Sequence, residues 1–166
     1  MSEIDKRVNT NKSDQIVVFS IDERRCALLL ATVDRIVGVV ELTPLPKAST
    51  IVLGIINMQG RIIPVLNMRR RFHLPEREIY LRDQLIIVHT SEQSVALLVD
   101  NVSGVIEYSG HEVVAAEEIV PGIEYVKSII KLEDGINLIL NIDTLLSIEE
   151  VRSLDDAVKE PHGGEL

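Results

Sequence analysis

The chain repeats itself. The stretch "IVVFSIDERRCALLLATVDRIV" from Ile16 and the stretch "LIIVHTSEQSVALLVDNVSGVI" from Leu85 align without a gap, at an offset of 69 residues. Every apolar residue of the first copy except Ile21 and Ala31 meets an apolar residue in the second. Further on, "GRIIPVLNM" from Gly60 resembles "DGINLILNI" from Asp134 at an offset of 74, so the second copy has gained five residues, placed in the loop around "AAEEIVPG". Two copies of one pattern call for two like units. The period is too long, and the copies too few, for a solenoid.

Each copy reads as a β-branched strand, a polar turn and a second strand, which is a hairpin signature. A short Val-rich segment, a long loop, a second hairpin around Gly60 or Gly135 and one helical turn follow. Short strands punctuated by turns predict an all-β fold of two small barrels related by approximate twofold symmetry. With aromatics at 3%, the core must be Ile, Val and Leu. A barrel of about 60–70 residues is marginal alone, so the two should share an interface. Gly60 is expected at a turn with positive φ, and Pro64 at a strand start or on an edge strand. We expect residues 1–13 to be a mobile N-terminus, 14–150 the folded domain of two barrel subdomains, and 151–166 a C-terminal helix and tail. Ser147 and Glu150 would form its capping box, and Val151, Leu154 and Val158 its apolar stripe.

A net charge of -9 argues against nucleic acid, whose phosphates call for clustered Lys and Arg. The one basic knot, Arg69-Arg70-Arg71, is read as the solvated side of a short helix. The opening "MSEIDKRVNTNKSD" lacks the apolar core of a signal peptide and no apolar run approaches membrane length, so a cytoplasmic location is expected. Charge divides unevenly between the copies. Residues 14–72 hold eight Lys/Arg and five Asp/Glu, net +3; residues 85–150 hold two and twelve, net -10. That division fits either drift on solvated faces or head-to-tail pairing of a basic unit with an acidic one.

Chemistry is hard to find. The four histidines are scattered, with none at i, i+4 from another His or Cys, so no metal site is predicted. His89 is read as a face-alternating strand residue rather than a general base, and Asp100 as a turn or capping residue before "NVSG" rather than a catalytic acid. Cys26, within "CALLL", is read as a small buried hydrophobe. No phosphate loop precedes a helix. The expectation is no cofactor, no catalytic residue and no enzyme.

"PLP" at 44–46, "VLGIINMQGRIIPVLNMRRRF" and "VALLVDNVSGVIEY" together resemble the CheW-like chemotaxis coupling proteins. That family carries a G-V-x-N-L-R-G-x-x-x-P-V-x-D-L-R pattern and a later V-x-x-V-D-x-V-x-x-V. The matching residues are Gly54, Asn57, Met58, Gln59, Gly60, Pro64, Val65, Asn67, Met68 and Arg69, then Val99, Asp100 and Val102. The resemblance implies two packed SH3-like five-stranded barrels and a non-catalytic adaptor. Its partners would be the cytoplasmic tip of methyl-accepting chemoreceptors and the regulatory domain of a chemotaxis histidine kinase, with the membrane reached only through the receptors. It also implies receptor-binding residues Val33, Arg35, Asn57, Met58, Gln59 and Gly60, and kinase-binding residues Glu118 and Ile119.

Several positions depart from the pattern. The usual Arg is Gln59, the usual Glu falls on Arg35, the usual Asp is Asn67, and the kinase loop's prolines are alanines. The acid–base pair of typical members is therefore lost, which opens a second reading: a ring or scaffold protein serving a divergent motility or localisation pathway. A third reading, a small-molecule sensor or enzyme using the groove between the barrels, lacks an acid/base constellation.

Overall fold

A computed structural model describes residues 14–45 and 51–145. The expected N-terminal arm, C-terminal helix and capping box lie outside the described residues. Hairpin β1 (Gln15–Ile21) and β2 (Arg24–Leu29) leads through a 3-10 turn into β3 (Val33–Gly38). Hairpin β4 (Val52–Met58) and β5 (Arg61–Leu66) follows, then a helical turn, Met68–Arg71. The plan repeats in hairpin β6 (Gln84–His89) and β7 (Ser94–Val99), then β8 (Asn101–Glu107) and β9 (Val113–Ala115). A helical turn at Ala116–Ile119 precedes hairpin β10 (Val126–Leu132) and β11 (Gly135–Leu140), and Ile142–Leu145 makes the last turn. The five extra residues fall between β8 and β10, as the offsets require.

The strands form two sheets, in the orders β8-β1-β2-β11-β10-β9 and β3-β6-β7-β5-β4. The copies have therefore exchanged hairpins. Strands β1–β2 join the second copy's strands, and β6–β7 join the first copy's. Matching parallel contacts seal the exchange, Val65 beside Ala96 in one sheet and Ile139 beside Ala27 in the other. Each sheet also closes on itself. The chain leaving β8 becomes β9 at the opposite edge. In the other sheet, the chain leaving β3 reaches β4 at Thr43, which exchanges two 2.8 Å backbone hydrogen bonds with Ile55. Five strands were expected in each barrel. One has six, because β9 replaces the isolated Thr43 bridge of its twin.

The exchange explains the sequence. Leu85, Ile87 and Ala96 face a core inside the five-stranded unit, and Ile16, Val18 and Ala27 face one inside the six-stranded unit. Their alternates Ile86, Val88, Leu97, Phe19, Cys26 and Leu28 meet in a third core shared by both sheets. Strands buried on two faces read as continuous apolar runs. Hence "IVVF", "LIIV" and "VALLV" carried the repeat. Pro64, expected at an edge or strand start, instead lies inside β5, an interior strand. Ile55 bonds outward to Thr43, so at the Ile55–Pro64 pair the proline nitrogen turns away from β4. It faces β7, whose pairing starts only at Val65, and no ladder bond is lost.

Candidate functional site

Among the expected receptor-binding residues, Gln59 and Gly60 form the two-residue turn between β4 and β5. Both have positive φ, 54° and 86°, the pattern of a type I′ hairpin turn. The Gly60 N–H donates to Asn57 Oδ1 at 2.9 Å, and the Arg61 guanidinium donates to Ser94 Oγ at 2.8 Å, so the turn is tied across to β7. Asn57 and Gln59 are exposed, while Met58 packs on the interior core. Val33 pairs with Val88 on the same end of the sheet and packs on the shared core. Arg35 is exposed and makes no ion pair among the described residues. The six residues thus stand on one end of the five-stranded unit, with no hydrogen bond between Arg35 and Gln59.

Glu118 and Ile119 lie on the other unit, in the turn Ala116–Ile119. Ala116 is buried and anchors it, and Glu117 Oε1 accepts the Gly122 N–H at 3.0 Å. Glu118 is exposed, and Ile119 and Val120 are 54% and 50% exposed, leaving an apolar step beside an acid. The structure does not join the two residue sets; it presents them separately.

Sequence reading missed an ion network between the units. Arg69 was expected on a solvated face, but its side chain is 11% exposed. Its Nη1 pairs with Asp22 at 2.6 Å, and its Nη2 donates to both carboxylate oxygens of Asp100 at 2.7 and 2.9 Å. Asp100 also accepts from the Asp22 N–H and from Arg77, whose guanidinium forks onto buried Asp83 at 2.8 and 2.9 Å. Burial alone would raise the Asp83 carboxyl. The Arg77 hydrogen bond, the Tyr80 N–H and the charges of Arg77 and Arg69 outweigh it and hold Asp83 below its ordinary value. Arg71 lies over the Tyr125 ring at 4.7 Å and donates to its hydroxyl. The only advance signal was that Arg69 and Asp100 both matched motif positions.

Other readings fare variously. Asn67 caps its helix through the Arg70 N–H and donates to Glu76, a bond a carboxylate could not donate. His89, read as a strand residue, ends β6 and stands exposed, with its Nδ1 2.8 Å from Asp34 Oδ1. Burial pushes the Cys26 thiol up to about 12 against the weaker pull of Arg24, so it stays a protonated core residue. Among the described residues, no group of three or more His, Cys, Asp or Glu is placed to hold a metal. Among them, too, no helix is long and apolar enough to cross a membrane.

A family model described as the CheW-like domain matches residues 15–150. The chain belongs to the CheW-like family. CheW-like proteins are non-catalytic adaptors, which agrees with the absence of a catalytic expectation from the sequence. The chemotaxis protein CheW of Thermotoga maritima is 30% identical over 102 residues, covering 61% of this chain and 67% of its own length. That of Bacillus subtilis is 29% identical over 105 residues, 63% and 67% of the two chains. The crystal structure of the scaffolding protein TtCheW from Thermoanaerobacter tengcongensis superposes with a TM-score of 0.73 at 29% identity, covering 83% of this chain and 90% of that one.

Proposed function

We propose that this CheW-like chain is a free-standing adaptor that couples chemoreceptor tips to a chemotaxis histidine kinase. The observation that carries the reading is the separation of two exposed surfaces on two units that share a core. One is the clamped turn Asn57–Gly60 with Val33 and Arg35; the other is the Glu118–Val120 step on the opposite unit. An adaptor needs two such surfaces, each free while the other is engaged. Arg35 stands where typical members carry an acid, so the cognate receptor tip supplies an extra carboxylate there.

The test is a binding titration against the cognate receptor tip and the kinase regulatory domain. Arg35→Glu combined with Gln59→Arg should weaken the receptor tip by roughly 1–3 kcal/mol and leave the kinase domain unaffected. Ile119→Asp should do the reverse. Folded variants that change neither affinity would sink the reading. The same departures at 35 and 59 favour, second, a scaffold in a divergent motility or localisation pathway. The absence of a chemotaxis kinase and receptors from the neighbouring genes would support it.

A further inference from the structure

The six-stranded unit buries an amide that its twin does without. Asn137 is 0% exposed, and among the described residues its Oδ1 finds no hydrogen-bond donor. By the repeat offset of 74 it stands where the first copy carries Ile63, itself 1% exposed. An apolar side chain therefore fits this place in the fold. A buried carbonyl without a donor is destabilising, so Asn137 carries a cost that isoleucine avoids. Ile130, its partner on β10, and Ile139, two residues on, both face the unit's interior core. Asn137 is thus the next inward residue toward the β10–β11 turn. Its Nδ2 reaches that turn, 3.4 Å from Asp134 Oδ1 and 3.5 Å from the Gly135 carbonyl.

At the same turn opens a recess of about 720 Å³, whose walls include Val18, Ser20, Glu23, Arg25, Asp134 and Ile136. Val18 belongs to the interior core, so the recess is the mouth of the barrel. One bridge closes it over the amide. Strands β2 and β11 pair Ala27 with Ile139, and that register sets Arg25 beside Asn137. The Arg25 guanidinium bypasses the amide and bonds Asp134, at its backbone carbonyl and, at 3.0 Å, at its carboxylate. Both side chains are about half exposed, and such a bridge opens at little cost. Glu23 on the rim has no ion-pair partner among the described residues. Residues 14–32 with 100–145, which make up this unit, carry four Lys/Arg and twelve Asp/Glu, net -8. Ile136, 61% exposed, adds an apolar wall. An acceptor lacking a donor, under an acidic rim with one apolar side, matches a cation that bears N–H groups on a short aliphatic stem.

We propose that this mouth binds a small protonated primary amine. The ammonium replaces Arg25 on the Asp134 carboxylate and donates to Asn137 Oδ1. Its aliphatic stem lies on Ile136, and Glu23 adds attraction at the rim. The site requires neither receptor nor kinase, so its failure leaves the adaptor reading standing.

The experiment is calorimetric titration of the purified chain with putrescine, read alongside the NMR signals of the Asn137 side-chain amide. Tetramethylammonium, a cation without N–H groups, and neutral 1-butanol are the controls. Putrescine should saturate a single site and shift the Asn137 amide, and both controls should bind at least about tenfold more weakly. Asn137→Ile should weaken putrescine at least about tenfold without lowering the melting temperature. Two exposed variants keep the test open if that one fails to fold. Arg25→Ala should tighten binding by removing the competing cation, and Glu23→Gln should weaken it. The proposal is overturned if putrescine does not bind, or if tetramethylammonium binds equally well. Binding that Asn137→Ile leaves untouched, or that Arg25→Ala weakens, overturns it too.

Discussion

Asp83 shows how much a single side chain decides here. It is a carboxylate in the interior, tolerated because the Arg77 guanidinium and the Tyr80 N–H saturate it. Its folded pKa lies below its unfolded value of about 3.9. The stability it confers is therefore complete above that unfolded value and is lost as pH falls through the folded one. Asp83→Asn should cost about 3 kcal/mol at neutral pH, because Arg77 keeps only Asp100 as a charged partner. The gap from the wild type should narrow below about pH 4. Denaturant melts of both proteins at neutral and acid pH check it; a gap that does not change with pH would remove the linkage. Beyond the motif match of Arg69 and Asp100, nothing of this network was legible in the sequence. Arg69, Arg77, Asp22, Asp83 and Asp100 come from four separate turns and loops, and charge periodicity says nothing about side chains that meet only after hairpins are exchanged. Gly60 was legible, because a two-residue turn at positive φ leaves glycine as the default residue.

Hairpins and helical turns were readable because their signals are local, a polar turn between two apolar runs. What closes a sheet is not local. Gly54 matched a motif position without an assigned reason, and its neighbours supply one. A Cβ there would stand 2.4 Å from the Thr43 carbonyl oxygen and 2.6 Å from Leu42 Cδ2. The crossing chain that bonds Ile55 can approach β4 only because residue 54 has no side chain. Gly54→Ala should therefore push the Leu42–Thr43 segment off the strand and destabilise the protein by about 1–3 kcal/mol, the usual cost of overpacking. Hydrogen exchange at the Ile55 and Thr43 amides should accelerate more than at Ile86 or Leu97, which lie in β6 and β7. Uniform protection across all four sites would show that the crossing segment contributes nothing to closure.

The repeat predicted two like units and left open which hairpin joins which, since the offset aligns copies and is silent about strand exchange. The exchange makes the five-stranded unit contiguous, residues 33–99, and splits the six-stranded unit into two pieces around it. A contiguous sheet with its own interior core would be expected to survive excision. The shared core argues otherwise. Leu66, Ile86, Val88, Leu97 and Val99 of that segment are buried against Phe19, Ile21, Cys26, Leu28 and Leu140 of the other unit. Excision would bare that whole face, at about 25 cal/mol per Å² of apolar surface, in a unit already near the size at which one core fails to hold. The fragment 33–99 should therefore not fold cooperatively, although it contains every strand of its sheet. The full chain should unfold in one transition, with circular dichroism and tyrosine fluorescence melting together. A fragment that melts cooperatively, or two separated transitions in the full chain, would mean that the interior cores suffice and that the shared core only docks finished units.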